Sequence, residues 1–340
     1  MIARVGLIVS AVLLLGGSAS AREPVPALGV QFHCNWGYYT DDTRAIVVDR
    51  AVGAGLTWVR IDVSWRGLEP RRGKFSVRYG NRLERCVALA KRRGLRVLVT
   101  LGWTPKWANG GRKTNVPPRR ASDYAAIATR FATRLRGRVD AWEVWNEPNV
   151  PDGWAGSPEA YARLLKTAYP AFKRADPQTL VVLGGTSGND DKFIGRLYAA
   201  GARASFDVVA THPYQGVANA PPERPDDGER WWVTHVDAVR ALMVANGDAA
   251  KPIWFTESGW SAHENAPGTP PWRLGVTEAE QADYAARLVR LLRATYPYVT
   301  QVFWYDDRTR PAETDLHLRG FGLLRADLSP RPVLFALRDA

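Results

Sequence analysis

The chain has 340 residues, of which 46% are hydrophobic and 24% charged, with a formal net charge of +12. That composition is globular and excludes a disordered or low-complexity chain, and the length suits one large α/β domain or two ordinary ones. The basic residues are scattered in short runs such as 70–74 and 91–94, with no stripe or module of the kind nucleic-acid binding needs. The charge reads as a solvated surface, with attraction to an acidic polymer, such as an acidic glycan, or an anionic cell envelope as the sharper alternative.

Taken in chain order, residues 1–21 (MIARVGLIVSAVLLLGGSASA) read as a secretory signal peptide. Arg4 supplies the charged start, residues 8–15 the apolar stretch, and Ala19-Ser20-Ala21 the cleavage site. The apolar run is shorter than the roughly 20 residues a membrane span needs. The expectation is an exported, secreted chain of residues 22–340 with no stable membrane insertion.

Beyond residue 21, short β-branched or aromatic runs alternate with longer amphipathic segments. Strands are predicted at 28–33, 57–62, 95–101, 139–146, 179–185, 206–212, 252–257 and 299–304. Helices are predicted near 41–54, 78–93, 122–137, 157–175, 190–201, 231–246, 277–295 and 330–339. Some helix starts are explicit: Ser157 precedes Pro158, and Thr277 with Glu280 fits a capping box. Strand–helix alternation repeated eight times implies a parallel sheet. Over this length it implies a (β/α)8 TIM barrel, one domain with extended loops after the strands. The Pro-rich stretch 213–230 is read as one such loop. Cys34 and Cys86 are the only cysteines; two do not make a disulfide framework, and a bridge between them is the disfavoured outcome.

Polar residues gather where a barrel places its chemistry. His33, Arg60, Asp62, Trp103, Asn146, Glu147, His212, Tyr214, Glu257, Trp304 and Asp306 all fall at or just past the C-terminal ends of predicted strands. Two segments share one design. AWEVWNEPNV (141–150) and PIWFTESGW (252–260) each run an aromatic strand into a small polar residue, a Glu and a break. Three strand–helix units separate Glu147 from Glu257, so the two can face each other across the barrel mouth. Paired carboxylates, one protonated and one ionised, are the minimum machinery for glycosidic bond cleavage. Arg60 is placed to hold the second one ionised, and Asn146 to donate to a sugar hydroxyl. Indoles such as Trp103 and Trp304 suit the apolar faces of sugar rings.

These segments resemble the (β/α)8 retaining glycosidases of glycoside hydrolase clan A, in particular its family 39-like and cellulase-like members. WVRIDVSW, THPY, VFWYDD and the tail GLLRADLSPRPVLFAL extend the resemblance over about residues 28–338. It implies Glu147 as general acid/base and Glu257 as nucleophile, with His212 and Tyr214 orienting the nucleophile and its sugar. His33, Arg60, Trp103, Asn146 and Trp304 complete the expected substrate-binding set. Hydrolysis of a β-linked glycan, internal rather than terminal, is the expected activity. The competing reading is a secreted barrel that binds polysaccharide through its aromatic groove without cleaving it.

Glu143 lies four residues before Glu147 on the same face of its strand, and is read as a buried structural carboxylate paired with Arg60. The histidines form no H-x-x-x-H pair and no Cys/His cluster, and no Gly-rich phosphate loop follows a strand. Neither a metal nor another cofactor is expected.

Overall fold

In a computed structural model, residues 26–340 are described; the predicted signal segment lies outside them. Nine parallel strands form one sheet: β1 (Ala27–Gln31), β2 (Trp58–Ser64), β3 (Arg96–Gly102), β4 (Ala141–Val144), β5 (Leu180–Leu183), β6 (Thr186–Ser187), β7 (Val209–His212), β8 (Ile253–Ser258) and β9 (Val299–Trp304). Their order is β5-β4-β3-β2-β1-β9-β8-β7-β6. The ring closes where Asp207 N donates to Val181 O at 2.7 Å and Leu183 N to Val208 O at 3.0 Å. Val182 sits opposite Val208 there in an isolated parallel bridge. With β6 a two-residue continuation after β5, this is the (β/α)8 barrel.

Side-chain alternation sorts the strands into two layers. Trp58, Leu98, Ala141, Val208, Ala210, Trp254 and Phe303 point inward and pack the barrel floor, with Trp58 and Trp254 edge to face at 5.2 Å. Val59, Ile61, Val97, Val99, Trp142 and Val181 point outward against the helices. Registers place Arg60 beside Gln31 and Leu98, Asp62 beside Thr100, and Thr100 beside Glu143. A polar layer therefore sits directly above the apolar floor.

The helices run close to their expected bounds. Thr277 and Glu280 form the capping box, and Ser157 caps the helix that opens at Pro158. Two expectations change. Strand β4 stops at Val144 rather than residue 146, because Trp145 takes φ 76° and leaves the strand. Cys34 and Cys86 are bridged, with Cα atoms 6.0 Å apart. The helix Val77–Arg92 brings Cys86 against the end of β1, a neighbour relation that spacing in the chain does not reveal.

Candidate active site

The mouth is built on a buried guanidinium. Arg60 on β2 is fully buried and spends its fork on four acceptors. Nε donates to Glu143 Oε2 at 2.7 Å, Nη1 to Gln31 Oε1 at 2.8 Å and to Glu257 Oε1 at 2.7 Å, and Nη2 to Asn146 Oδ1 at 2.7 Å. Burial opposes the charge, but Glu143, Asp62 and Glu257 outweigh it and raise the pKa of Arg60 above its ordinary value. Glu143 is fully buried and also accepts from the Thr100 hydroxyl, the Thr256 hydroxyl at 2.8 Å and Gly185 N at 3.0 Å. It is a structural carboxylate whose lone pairs are all engaged within the barrel. Gly185 is required there, since a Cβ would strike the His212 ring and the Thr256 hydroxyl.

Two backbone devices aim the candidate catalytic pair. After β4, Trp145 and Glu147 both adopt left-handed φ, 76° and 46°, and Glu147 N is tied to Gly185 O at 2.9 Å. Such conformations are uncommon outside glycine and mark strained, over-determined sites. On β8, alternation puts Trp254 and Thr256 inward and would turn Glu257 out. The register is broken between Phe255 and Ser258, which brings Glu257 round to Arg60.

His212 joins the two carboxylates. Its Nδ1 lies 3.1 Å from Glu147 Oε1 and 3.9 Å from Glu257 Oε2, while Nε2 is 3.0 Å from the Thr256 hydroxyl. The two carboxylate oxygens are therefore no further apart than those two contacts laid end to end. Burial lowers the His212 pKa, but Glu257 and Glu147 raise it further, to a net value above 6.5. For Glu147 burial works upward, while the hydrogen bond and charge of His212, with help from Ser187 and Arg60, pull it below the usual range. Tyr214 donates to Glu257 Oε2 at 3.0 Å.

The expected site residues thus separate. Glu147, Asn146, Tyr214, Trp103 and Glu257 reach the mouth part-exposed. Arg60 is sealed beneath it and acts on a substrate only through Glu257 and Asn146. His212, expected to orient the nucleophile, contacts the partner Glu147 more closely. His33 is 2% exposed and lies under the indole of Trp36, ring centroids 4.1 Å apart, rather than in the open cleft. Trp304 is also displaced from its expected role. Phe303 takes the inward position on β9, so Trp304 faces the helices, 2% exposed, and its Nε1 donates to Phe321 O at 2.8 Å. The next residue, Tyr305, lines the cleft instead.

Among the described residues, His33, Asp306 and Asp307 have ligand atoms within 4.8 Å of one another, a set drawn from opposite ends of the chain. Asp307 already accepts from Arg308 N at 3.0 Å and from the Tyr39 hydroxyl. Burial and Asp307 push Asp306 up to about 7, against the pull of His33. Burial lowers His33, but Asp307 and Asp306 raise it on balance. His33 Nδ1 stands 3.6 Å from Asp306 and 3.5 Å from Asp307.

Two cavities lie at the mouth, the first beside Glu257 and the second beside Asp62. One, of about 220 Å³, is lined by Tyr214, Glu257, Trp260, Trp272, Tyr305 and His317. The other, of about 350 Å³, is lined by Trp36, Asp62, Ser64, Tyr79 and Trp103. Sequence reasoning had missed Gln31, Thr100, Thr256, Gly185 and Tyr305. The inward parity of β1, β3, β8 and β9 was the available signal.

A parallel barrel whose C-terminal mouth holds two strand-end carboxylates on one imidazole is the architecture of a glycoside hydrolase. The cellulase family (glycosyl hydrolase family 5) matches residues 19–304, and the chain belongs to it. The chain is 31% identical over 138 residues to a beta-xylosidase of Caldicellulosiruptor saccharolyticus, covering 36% of this chain and 28% of that protein. It is 25% identical over 276 residues to a beta-xylosidase of Geobacillus stearothermophilus, covering 71% of this chain and 52% of that one. It thus spans about half, or less, of the length of these relatives. A solved family 39 glycoside hydrolase from the gut symbiont Bacteroides cellulosilyticus WH2 superposes with a TM-score of 0.76 at 26% identity, covering 93% of this chain and 63% of that one.

Proposed function

We propose that the protein is an exported retaining β-glycosidase that cleaves a β-linked glycan by double displacement, with Glu257 as nucleophile and Glu147 as acid/base. The observation that carries this is the shared contact of both carboxylates with His212. It bounds their separation in a range compatible with the roughly 5–5.5 Å of retaining chemistry. Arg60 and Tyr214 hold the two Glu257 oxygens from opposite sides, fixing the nucleophile for attack on the anomeric carbon. Because Asn146 Oδ1 accepts from Arg60, its amide NH2 is turned toward the sugar. Glu147 delivers its proton to the leaving oxygen and then activates water. His212, touching both carboxylates, makes each sensitive to the charge of the other, so esterification of Glu257 is felt at Glu147.

One cavity beside Glu257 and a second beside Asp62, one guanidinium away, support a cleft longer than a single sugar and hence internal cleavage. The beta-xylosidase relatives support a β-linked glycan as substrate. Export is supported by the leader-like segment 1–21 and by the Cys34–Cys86 bridge, which suits an oxidising compartment. No helix among the described residues is long and apolar enough to cross a membrane.

The test is hydrolysis of aryl β-glycosides and β-linked polysaccharides. Glu257→Gln is expected to abolish turnover, and Glu147→Ala to recover part of it with azide as external nucleophile. Saturable binding without hydrolysis across a broad panel would overturn the proposal. Release of monosaccharide alone from chain ends would overturn internal cleavage.

A further inference from the structure

We propose that Asp62, with Trp36 and Trp103, forms a sugar subsite on the β1–β3 side of the mouth that selects a unit offering hydroxyl or amino donors and rejects one carrying a carboxylate. This rests on the glycoside hydrolase reading and refines its substrate.

Position comes first. Asp62 is two residues beyond Arg60 on β2, so it shares the inward face one layer nearer the mouth. Its Oδ1 lies 3.7 Å from Arg60 Nη1, the same nitrogen that holds Glu257 at 2.7 Å. One guanidinium therefore separates Asp62 from the reacting carboxylate. The cavity above it has two indoles, one phenol, one serine and this single carboxylate as its lining. That is the composition a pyranose needs: apolar C–H faces against aromatic walls, and a polar group at the ring edge. The walls are fixed. Trp103 is held at φ 64°, and Trp36 is sandwiched between His33 and the Arg310 guanidinium, 4.2 Å from its ring.

The second observation is an unmet hydrogen bond. Asp62 Oδ1 is buried with no hydrogen-bond partner, Arg60 standing 3.7 Å off, although its side chain remains 20% exposed. Burial raises the Asp62 pKa against the pull of Arg60 and His33; in its ionised form the carboxylate accepts only, so the complement it lacks is a donor. Arg60 is committed to its four acceptors, and the Ser64 and Tyr79 hydroxyls, which accept from Gly67 N and Ser64 N, make no hydrogen bond to Asp62 Oδ1.

The third observation is charge. No basic residue lines this cavity. Two guanidiniums stand over its walls: Arg310 over Trp36, with Nη1 paired with Glu313 at 3.4 Å, and Arg82 over Tyr79, with Nε donating to Asn35 at 3.0 Å. A uronate seated here would meet Asp62, while Arg60, 3.7 Å behind it, is already committed to Glu143 and Glu257, which is discrimination by like charge.

The experiment uses the Glu257→Gln protein, which holds ligand without turnover, and calorimetric titration with two matched pairs of β-1,4 tetramers. Mannotetraose and tetramannuronate differ only in a CH2OH or a carboxylate on each ring. Cellotetraose and chitosan tetraose differ only in a hydroxyl or an amino group. Mannotetraose is expected to bind about 10- to 100-fold more tightly than tetramannuronate, the range of one charged hydrogen bond. Chitosan tetraose is expected to bind at least as tightly as cellotetraose. Asp62→Asn should shrink the mannotetraose-to-tetramannuronate ratio to within about threefold, with Trp103→Phe weakening all four ligands while leaving that ratio intact. Equal or tighter binding of tetramannuronate, an unchanged ratio in Asp62→Asn, or no binding of any tetramer overturns the proposal. The two proposals fail separately. Selective binding by a wild-type protein that hydrolyses nothing sinks the hydrolase and leaves the subsite. Hydrolysis lost in Glu257→Gln but indifferent to Asp62 sinks the subsite alone.

Discussion

Replacing Arg60 by Met should unbalance the molecule in a way that a second substitution repairs. The guanidinium makes four hydrogen bonds of 2.7–2.8 Å, and its partners Glu143 and Gln31 are fully buried. Without it, the Glu143 carboxylate keeps three neutral donors, two hydroxyls and one amide, and loses its only cation. Removing one partner of a buried ion pair costs about 3–5 kcal/mol, because the remaining charge is left uncompensated. Removing both charges together is far cheaper, so Arg60→Met with Glu143→Gln should regain about 2 kcal/mol or more of that loss. Activity should not return. Glu257 and Asn146 still lack the group that holds them, and a loss of about 100-fold in kcat, near 2.7 kcal/mol of transition-state stabilisation, is expected in both variants. Urea unfolding followed by tryptophan fluorescence gives the stabilities, with equal m values confirming that the same surface is exposed. A single variant less than about 1 kcal/mol below wild type, or a double variant no more stable than the single, would refute the ion-pair account.

Three other outcomes are expected. His212→Asn removes the charge that holds Glu147 down, so the Glu147 pKa rises and the protonated acid persists to higher pH; the alkaline limb of the kcat/KM profile should move upward. A limb that stays in place would show that Glu147 is not the group it reports. Cys34→Ala with Cys86→Ala opens a loop closed over a separation of 52 residues, and should cost roughly 2–4 kcal/mol in urea unfolding under non-reducing conditions, with no such difference under strong reductant. Trp304→Ala should cost about 3–5 kcal/mol of stability as a buried aromatic truncation. Trp103→Ala, at the part-exposed cleft wall, should instead act mainly on KM; equal thermal losses in the two would contradict their placement.

What the sequence disclosed followed from period and parity. Alternation within 139–146 placed Glu143 on the same face as Glu147 and suggested its pairing with Arg60, and the contact is present at 2.7 Å. The same rule, applied to β9, would have turned Trp304 outward once Phe303 was set against the floor; the tandem aromatics at 303–305 concealed which one faced in. Glu257 shows the reverse case. Strict parity would have pointed it away, and only the irregular register of β8, invisible in composition, brings it to the mouth. The early end of β4 was hidden for a related reason, since nothing in Trp145 announces a left-handed backbone. The cysteine bridge and the His33–Asp306–Asp307 set depend on which elements become neighbours when the ring closes, and that information is not local.

The closure of that ring is uneven. Between β1 and β9 four residues stay in register, whereas β5 meets the start of β7 through one bridge at Val182 and Val208, and the two residues of β6 add the rest. The thin junction falls between a front half that ends near Gly201 and carries Glu147 and a back half that carries Glu257. Arg60 and His212 reach across from one half to the other, tying them at the mouth. A chain cut in the loop after Ala200 would yield two fragments, each with one carboxylate and neither with a complete site. Their reassembly would announce itself through the chemistry alone, which makes this barrel a natural reporter of its own complementation.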